Sequence, residues 1–166
     1  MVNFHIYVPV CVLCFVGLLA CGEDGHHHAT DEVAEGCKHL DYGGAIPIDA
    51  TTENAGALSV HARFAVALGE QDDGTYAGRV NYTSSGGHHY VLLKESARVV
   101  VTDAAGATVM PRVVQSDGMV ASCASAAVLV EVVLPPAEYT FVLENAAEEV
   151  IEMTIHVAGD HHDHAH

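Results

Sequence analysis

The sequence has no tryptophan, few aromatic residues and very few basic ones. Six lysines and arginines stand against 22 aspartates and glutamates, which gives a formal net charge of −16 at pH 7. Nucleic-acid binding requires basic patches that neutralise phosphates, so the composition excludes that class of function. An acidic balance instead favours solubility and the attraction of cations.

The N-terminal apolar stretch is too short for an ordinary membrane-spanning helix. It reads IYVPVCVLCFVGLLA and extends from residue 6 to residue 20, whereas a spanning helix requires roughly 20 apolar residues. The apolar core of a secretory signal has about 7 to 15 residues and ends at small residues, which fits better. We therefore expect an exported protein; an uncleaved anchor and a buried segment of a cytosolic fold are the alternatives.

The end of this stretch, Leu18-Leu19-Ala20-Cys21, resembles the lipobox of bacterial lipoproteins, although the preceding MVNFH carries no lysine or arginine. The resemblance implies that residues 1 to 20 are a signal peptide and that Cys21 is lipidated after cleavage. It also implies a protein anchored by lipid to the inner or outer membrane, in the bacterial cell envelope, facing the periplasm or the cell surface.

The remaining cysteines indicate a disulfide. Of the five cysteines, two lie inside the signal segment and Cys21 would carry lipid, which leaves Cys37 and Cys123. In an oxidising compartment such an even remainder favours one disulfide, which the chain-entropy model credits with up to about 4 kcal/mol. In the competing interpretation Cys37 is a metal-binding thiolate, since His39 follows it by two positions.

The composition divides the exported chain into three parts. Residues 21 to 36 are acidic and bear histidines, but they have too few large apolar groups to fold, which predicts a flexible tether. Residues 37 to 159 are expected to form one domain, and residues 160 to 166 a histidine-rich tail. The fold class is therefore one folded domain between disordered N- and C-terminal segments.

The domain is predicted to be all-β, a single antiparallel β-sandwich. Apolar and polar residues alternate in LSVHARFAVAL (58–68) and VIEMTIHVA (150–158), the pattern of half-buried strands. Eight such segments follow one another at roughly ten-residue spacing between Gly-, Pro- and Asp-rich turns, which is typical of a sandwich. The hairpin VLPPAEYTFVLE resembles a corner found in Ig-like and cupredoxin-like sandwiches, a likeness that bears on fold alone.

Thirteen histidines are the outstanding feature of the composition, and seven of them lie near the two ends of the exported chain. Neutral imidazole is a common ligand of zinc and copper, and His-rich tracts are typical of metal binding. A purification tag and a tail without function are the alternatives. The terminal candidate ligands for a divalent metal, zinc or copper, are His26, His27, His28, His161, His162, His164 and His166.

A folded metal site could form within the domain from His39, His61 and either His88 or His89, if their strands are neighbours. His61 is predicted on the outward face of the first strand, and one of His88 and His89 must point outward in any register. The bland alternative is that these are ordinary surface histidines. His156 is predicted on the outward face of the last strand, outside this candidate set.

No motif indicates an enzyme. The serines lie in no G-x-S-x-G context, no glycine-rich phosphate loop follows a strand, and the paired carboxylates lie in turns. The late strands lack the cysteine of a type-1 copper site. We therefore expect a non-enzymatic lipoprotein that binds or buffers metal; the alternative is an Ig-like structural or interaction module with incidental histidines.

Overall fold

The computed structural model describes residues 24–51, 56–115, 120 and 122–159. Within these ranges one helix precedes twelve strands. The elements are α1 (Asp24–Asp41), β1 (Ile46–Asp49), β2 (Ala57–Leu58), β3 (Arg63–Ala67), β4 (Gly69–Glu70), β5 (Tyr76–Ser84), β6 (His88–Leu93), β7 (Arg98–Asp103), β8 (Thr108–Val109), β9 (Val113–Gln115), β10 (Val128–Val133), β11 (Ala137–Ala146) and β12 (Val150–Val157).

The strands form two six-stranded sheets, so the predicted all-β class is confirmed. The first sheet has the order β1-β3-β12-β6-β10-β9, and the second has the order β2-β5-β11-β7-β8 with β4 added beside β5. Pairing is antiparallel except at one end of each sheet, where β1 runs parallel to β3 and β2 parallel to β5. The structure therefore differs from the predicted purely antiparallel sandwich at these two short strands.

The main core lies between the two sheets. Ile151, Met153 and Ile155 of β12 alternate with residues on the other face and are fully buried beside Phe141 and Leu143 of β11. Burying an aliphatic or aromatic side chain of this size contributes about 1.5 to 3 kcal/mol. The period-2 pattern of the sequence therefore located this inner face correctly.

Helix α1 covers the outer face of the first sheet. Val33 and Leu40, seven residues apart and thus on one side of the helix, are buried against Tyr90, Leu92 and Leu129 in a second, smaller core. The helix includes residues 24 to 36, for which the composition predicted a flexible tether. A narrow apolar stripe and a sheet surface to receive it stabilise this helix despite its polar average composition.

This cover also buries the outward-facing side chains of β12, the last strand. His156, predicted to face outward from β12, and Thr154 on the same face are almost completely buried because the outer face of the first sheet lies under other parts of the chain. The loop between β9 and β10 adds to this cover through Cys123 and Ala126. No helix in the described part of the chain has both the length and the apolar character needed to cross a membrane.

Candidate metal site

Three histidines from distant parts of the sequence converge at the edge of the α1 interface. His39 lies in the last turn of the helix, His61 lies in the turn that precedes β3, and His156 lies in β12. The Nδ1 atom of His61 is 3.2 Å from Nε2 of His39 and 3.3 Å from Nδ1 of His156. One nitrogen from each ring lies within 4.8 Å of the other two.

His156 is oriented by a buried carboxylate. Its Nε2 atom lies 2.7 Å from Oε2 of Glu32, which precedes His39 on α1. The other carboxylate oxygen of Glu32 accepts a hydrogen bond from the backbone N–H of Gly159. Burial lowers the pKa of His156, while the hydrogen bond and charge of Glu32 oppose that shift. A neutral His156 that donates from Nε2 presents the lone pair of Nδ1 to the other two rings.

His61 is positioned by an unusual backbone conformation. Its φ of 58° lies in the left-handed region, which is uncommon for a residue other than glycine. Its backbone N–H donates to the carbonyl of Ile155, the neighbour of His156. The turn that carries His61 is therefore fastened directly to the strand that carries His156, and the two ring centroids lie 5.1 Å apart.

The helix approaches β12 closely because of Gly36. A Cβ atom at this position would lie 2.7 Å from Cδ1 of Leu92 and 3.1 Å from Cβ of His156, which is too close for any side chain. One turn farther along α1, His39 is then near enough for its ring to lie 6.0 Å from that of His156.

A disulfide fixes the same part of the helix. Cys37 is bonded to Cys123, in the loop that precedes β10, so the predicted disulfide is confirmed. The alternative in which Cys37 provides a metal-binding thiolate is therefore wrong. The bond instead restrains the helix two residues before His39.

The arrangement of nitrogen atoms is typical of a metal site. The Nδ1–H of a neutral His61 can be directed to His39 or to His156 but cannot make two linear hydrogen bonds at once, whereas a cation between the rings would interact with all three nitrogens. Ligands about 2.0 to 2.1 Å from tetrahedral zinc lie about 3.3 to 3.4 Å apart. Two sides of the triangle, at 3.2 and 3.3 Å, are close to this length, and the third is at most 4.8 Å.

A carboxylate that accepts from the remote nitrogen of a ligating histidine is a common supporting contact in zinc sites, because it fixes the tautomer and raises the basicity of the ligand. Glu32 has this relationship to His156. The described residues therefore provide both a set of three nitrogen ligands and a partner that orients one of them.

The structure brings together only part of the predicted site. His39 and His61 belong to it, but His61 lies in a turn rather than on the outward face of a strand. His88 is half exposed and contacts Glu131, and His89 is buried within the sandwich, where its ring contacts Ser84. Neither of these two belongs to the cluster, because β6 turns His89 towards the main core and His88 towards β10.

The sequence-based candidate set left out His156, because the sequence did not indicate that α1 lies over the outward face of its strand. The available signal was the spacing of Val33, Gly36, Cys37 and Leu40, which follows one face of a helix and predicts a cover over the outer sheet face. Cys21 and the C-terminal histidines lie outside the described residues, as do the side chains of His26, His27 and His28, so their candidate roles stay predictions.

A comparison of the chain with protein-family models and with curated proteins finds no match.

Proposed function

We propose that this protein binds a divalent transition metal, with zinc preferred over copper, at His39, His61 and His156, and that it buffers this metal at the bacterial cell envelope. The observation that carries the proposal is the convergence of the three imidazole nitrogens, one of them oriented by the buried Glu32. Imidazole ligands suit zinc, copper and nickel.

The distances favour zinc. Two nitrogen pairs at 3.2 and 3.3 Å match a tetrahedral centre, whereas neighbouring nitrogens around square-planar Cu(II) would lie about 2.8 Å apart. Among the described residues, the site is formed by histidines without a thioether or thiolate, the ligands that favour Cu(I). Zinc is therefore the first metal to test.

The partial exposure of the site supports buffering rather than a purely structural role. His39 and His61 are half-buried, and only His156 is fully buried, so a bound ion would lie near the surface and could exchange. The net charge of −16 would raise the local concentration of cations around the protein.

The histidine-rich C-terminal segment begins next to this site. The N–H of Gly159 donates to Glu32, and His161 follows two residues later, which corresponds to at most about 7 Å of chain. We propose that His161, His162, His164 and His166 provide weaker auxiliary ligands, as do His26, His27 and His28, which precede Glu32 in the sequence.

The location in the envelope is part of the proposal. It rests on the lipobox-like Leu18-Leu19-Ala20-Cys21 and on the Cys37–Cys123 disulfide, because disulfides persist in oxidising compartments. Mass spectrometry of the membrane-extracted protein should show an acylated N-terminal Cys21. An intact Met1 would contradict lipid anchoring without affecting the metal proposal.

A competitive zinc titration of the purified protein tests the site. His61→Asn removes the imidazole, while asparagine tolerates the left-handed backbone, and His88→Asn is the matched control outside the cluster. We expect His61→Asn to lower zinc affinity by more than the roughly 10- to 100-fold that loss of an outer contact costs. Equal affinities of both variants and the wild type, or no zinc binding at neutral pH, would refute the proposal.

The same titration of a chain that ends at Gly159 separates the tail from the built site. We expect this chain to keep the tightest zinc equivalent and to lose weaker ones. Loss of the tightest equivalent on truncation would place the principal site in the tail instead.

A further inference from the structure

A tetrahedral zinc ion bound by three histidines has a fourth coordination position, which a protein ligand or a water occupies. The side chains next to the triad therefore decide whether the site is closed or open. Glu32 is engaged with His156 and Gly159, and Cys37 is in the disulfide. The described part of the helix has three further acidic side chains, Asp31, Glu35 and Asp41, and of these Glu35 is the one that lies four residues from His39.

Glu35 and His39 are four residues apart on α1, so their side chains are neighbours on the helix surface. Long side chains on a helix lean towards its N-terminus, which directs the ring of His39 over the turn that contains Glu35. A Cβ atom added to Gly36, the next residue, would lie 3.1 Å from Cβ of His156. Glu35 therefore lies at the same level of the helix as the cluster.

Electrostatics support this placement. The hydrogen bond with Lys38 is the main cause that lowers the pKa of Glu35; burial opposes the shift, and the charges of His156 and His39 add to it. In turn, Glu35 is one of the charges that raise the pKa of His156. The carboxylate is thus within electrostatic range of two of the three histidines.

In the structure this carboxylate forms an ion pair with Lys38, one helical turn away. The side chains of Lys38 and Glu35 are 60% and 41% exposed, and exposed ion pairs of this kind are weak. A divalent cation held by three imidazoles would attract the carboxylate more strongly than a single solvated ammonium group does.

We propose that Glu35 is the fourth ligand of the metal bound at His39, His61 and His156, and that Lys38 competes with the metal for its carboxylate. This inference rests on the proposed function. It makes α1 the source of two ligands in a Glu-x-x-x-His spacing, and it assigns to Lys38 a role in lowering the affinity to a value at which the metal exchanges.

A double-mutant cycle with Zn²⁺ tests the inference on the full-length protein in detergent. We expect Glu35→Gln to lower zinc affinity about tenfold or more, since a ligand should cost at least as much as an outer contact. Lys38→Gln should raise affinity about two- to fivefold, the strength of an exposed ion pair. In the Glu35→Gln background Lys38→Gln should have no effect, because the two residues act through one contact.

Asp31→Asn is the matched control, since Asp31 is an exposed carboxylate on the same helix and the variant changes the charge equally. It should alter zinc affinity much less than Glu35→Gln. The visible d–d bands of Co²⁺ bound in place of zinc provide a readout of the ligands themselves. These bands should change in Glu35→Gln and stay as in the wild type in Asp31→Asn.

The results separate the two proposals. Equal effects of Glu35→Gln and Asp31→Asn, unchanged cobalt bands, or a Lys38→Gln gain that persists in the Glu35→Gln background would each overturn the role of Glu35. If His61→Asn still abolishes tight binding in that case, the three-histidine site stands. If the wild-type protein binds no zinc, both proposals fall.

Discussion

His156 and Glu32 form a contact of 2.7 Å between strand β12 and helix α1, which covers it. Because the same carboxylate also accepts a hydrogen bond from the N–H of Gly159, it joins α1 both to β12 and to the turn that follows this strand. Glu32 thus links the orientation of a proposed metal ligand, His156, to the packing of the helix.

Replacement of Glu32 by glutamine should therefore weaken metal binding. His156 and Gly159 contact different oxygens of Glu32, and glutamine replaces one of these oxygens by an NH2 group, which cannot accept. This NH2 group can donate to Nε2 of His156 and reverse the tautomer of the ring. We expect zinc affinity to fall about 10- to 100-fold in a competitive titration. A value equal to that of Asp31→Asn would contradict this role.

Gly36→Ala should destabilise the protein. The added methyl group would overlap the fully buried Leu92 and press against His156, and overpacking of this kind costs about 1 to 3 kcal/mol. That cost exceeds the gain of up to about 1 kcal/mol from replacing a helical glycine by alanine.

Denaturant unfolding of Gly36→Ala measures this difference, and Gly44→Ala is the control because a methyl group there meets no other atom. We expect a lower unfolding free energy only for Gly36→Ala, accompanied by weaker zinc binding. A stabilised Gly36→Ala would show that the helix can move away from the sheet without cost.

The metal-free protein should lose stability as the pH falls below about 6.5. Burial lowers the pKa of His89 from its ordinary value of 6.5, while the contact with the carbonyl of Gly87 opposes the shift. The unfolded chain therefore binds a proton at this residue before the folded one does, and stability decreases through that window until the pH reaches the lowered folded-state pKa. Burial also lowers the pKa of His156, so this residue contributes to the pH dependence in the same direction.

His89→Gln tests this pH dependence in the presence of excess chelator. The glutamine amide does not titrate, so the difference in unfolding free energy between about pH 7.5 and about pH 5 should be smaller than in the wild type. An unchanged difference would assign the acid sensitivity to other groups.

Removal of the disulfide should affect both stability and the site. Loss of the link between Cys37 and Cys123, which are 86 positions apart, should lower the unfolding free energy by up to about 4 kcal/mol. In Cys37→Ser/Cys123→Ser, helix α1 keeps its apolar stripe and the Glu32 contact but loses its covalent link to the loop before β10, so His39 is less firmly placed. Urea unfolding and zinc titration of this variant should both show a loss; unchanged zinc affinity would mean that the helix is positioned without the bond.

The sandwich could be predicted because its signal is local. Ile151, Met153 and Ile155 recur at every second position, and this alternation defines an inner face without knowledge of the partner strands. The disulfide could also be predicted by counting cysteines. The parallel strands β1 and β2 could not, since each is too short to show a period.

The site could be predicted only in part because it depends on what covers the second face of the sheet. His156 occupies a polar position in its strand, and the sequence around it does not reveal that α1 lies above. The helix has few large apolar residues, among them Val33 and Leu40. Its average composition is therefore polar, and only the spacing of these residues indicates an apolar stripe. The left-handed backbone conformation at His61 could not be predicted either, because this position is not a glycine.

The position of β12 in the chain has a consequence for when the site can exist. This strand supplies His156 and lies between β3 and β6, yet it is the last element of the domain to be synthesised. His39 and His61 precede it by about a hundred residues of chain and have no third imidazole beside them until β12 has inserted. The proposed metal site is therefore a property of the finished domain, and an incomplete or unfolded chain would carry no assembled three-histidine cluster.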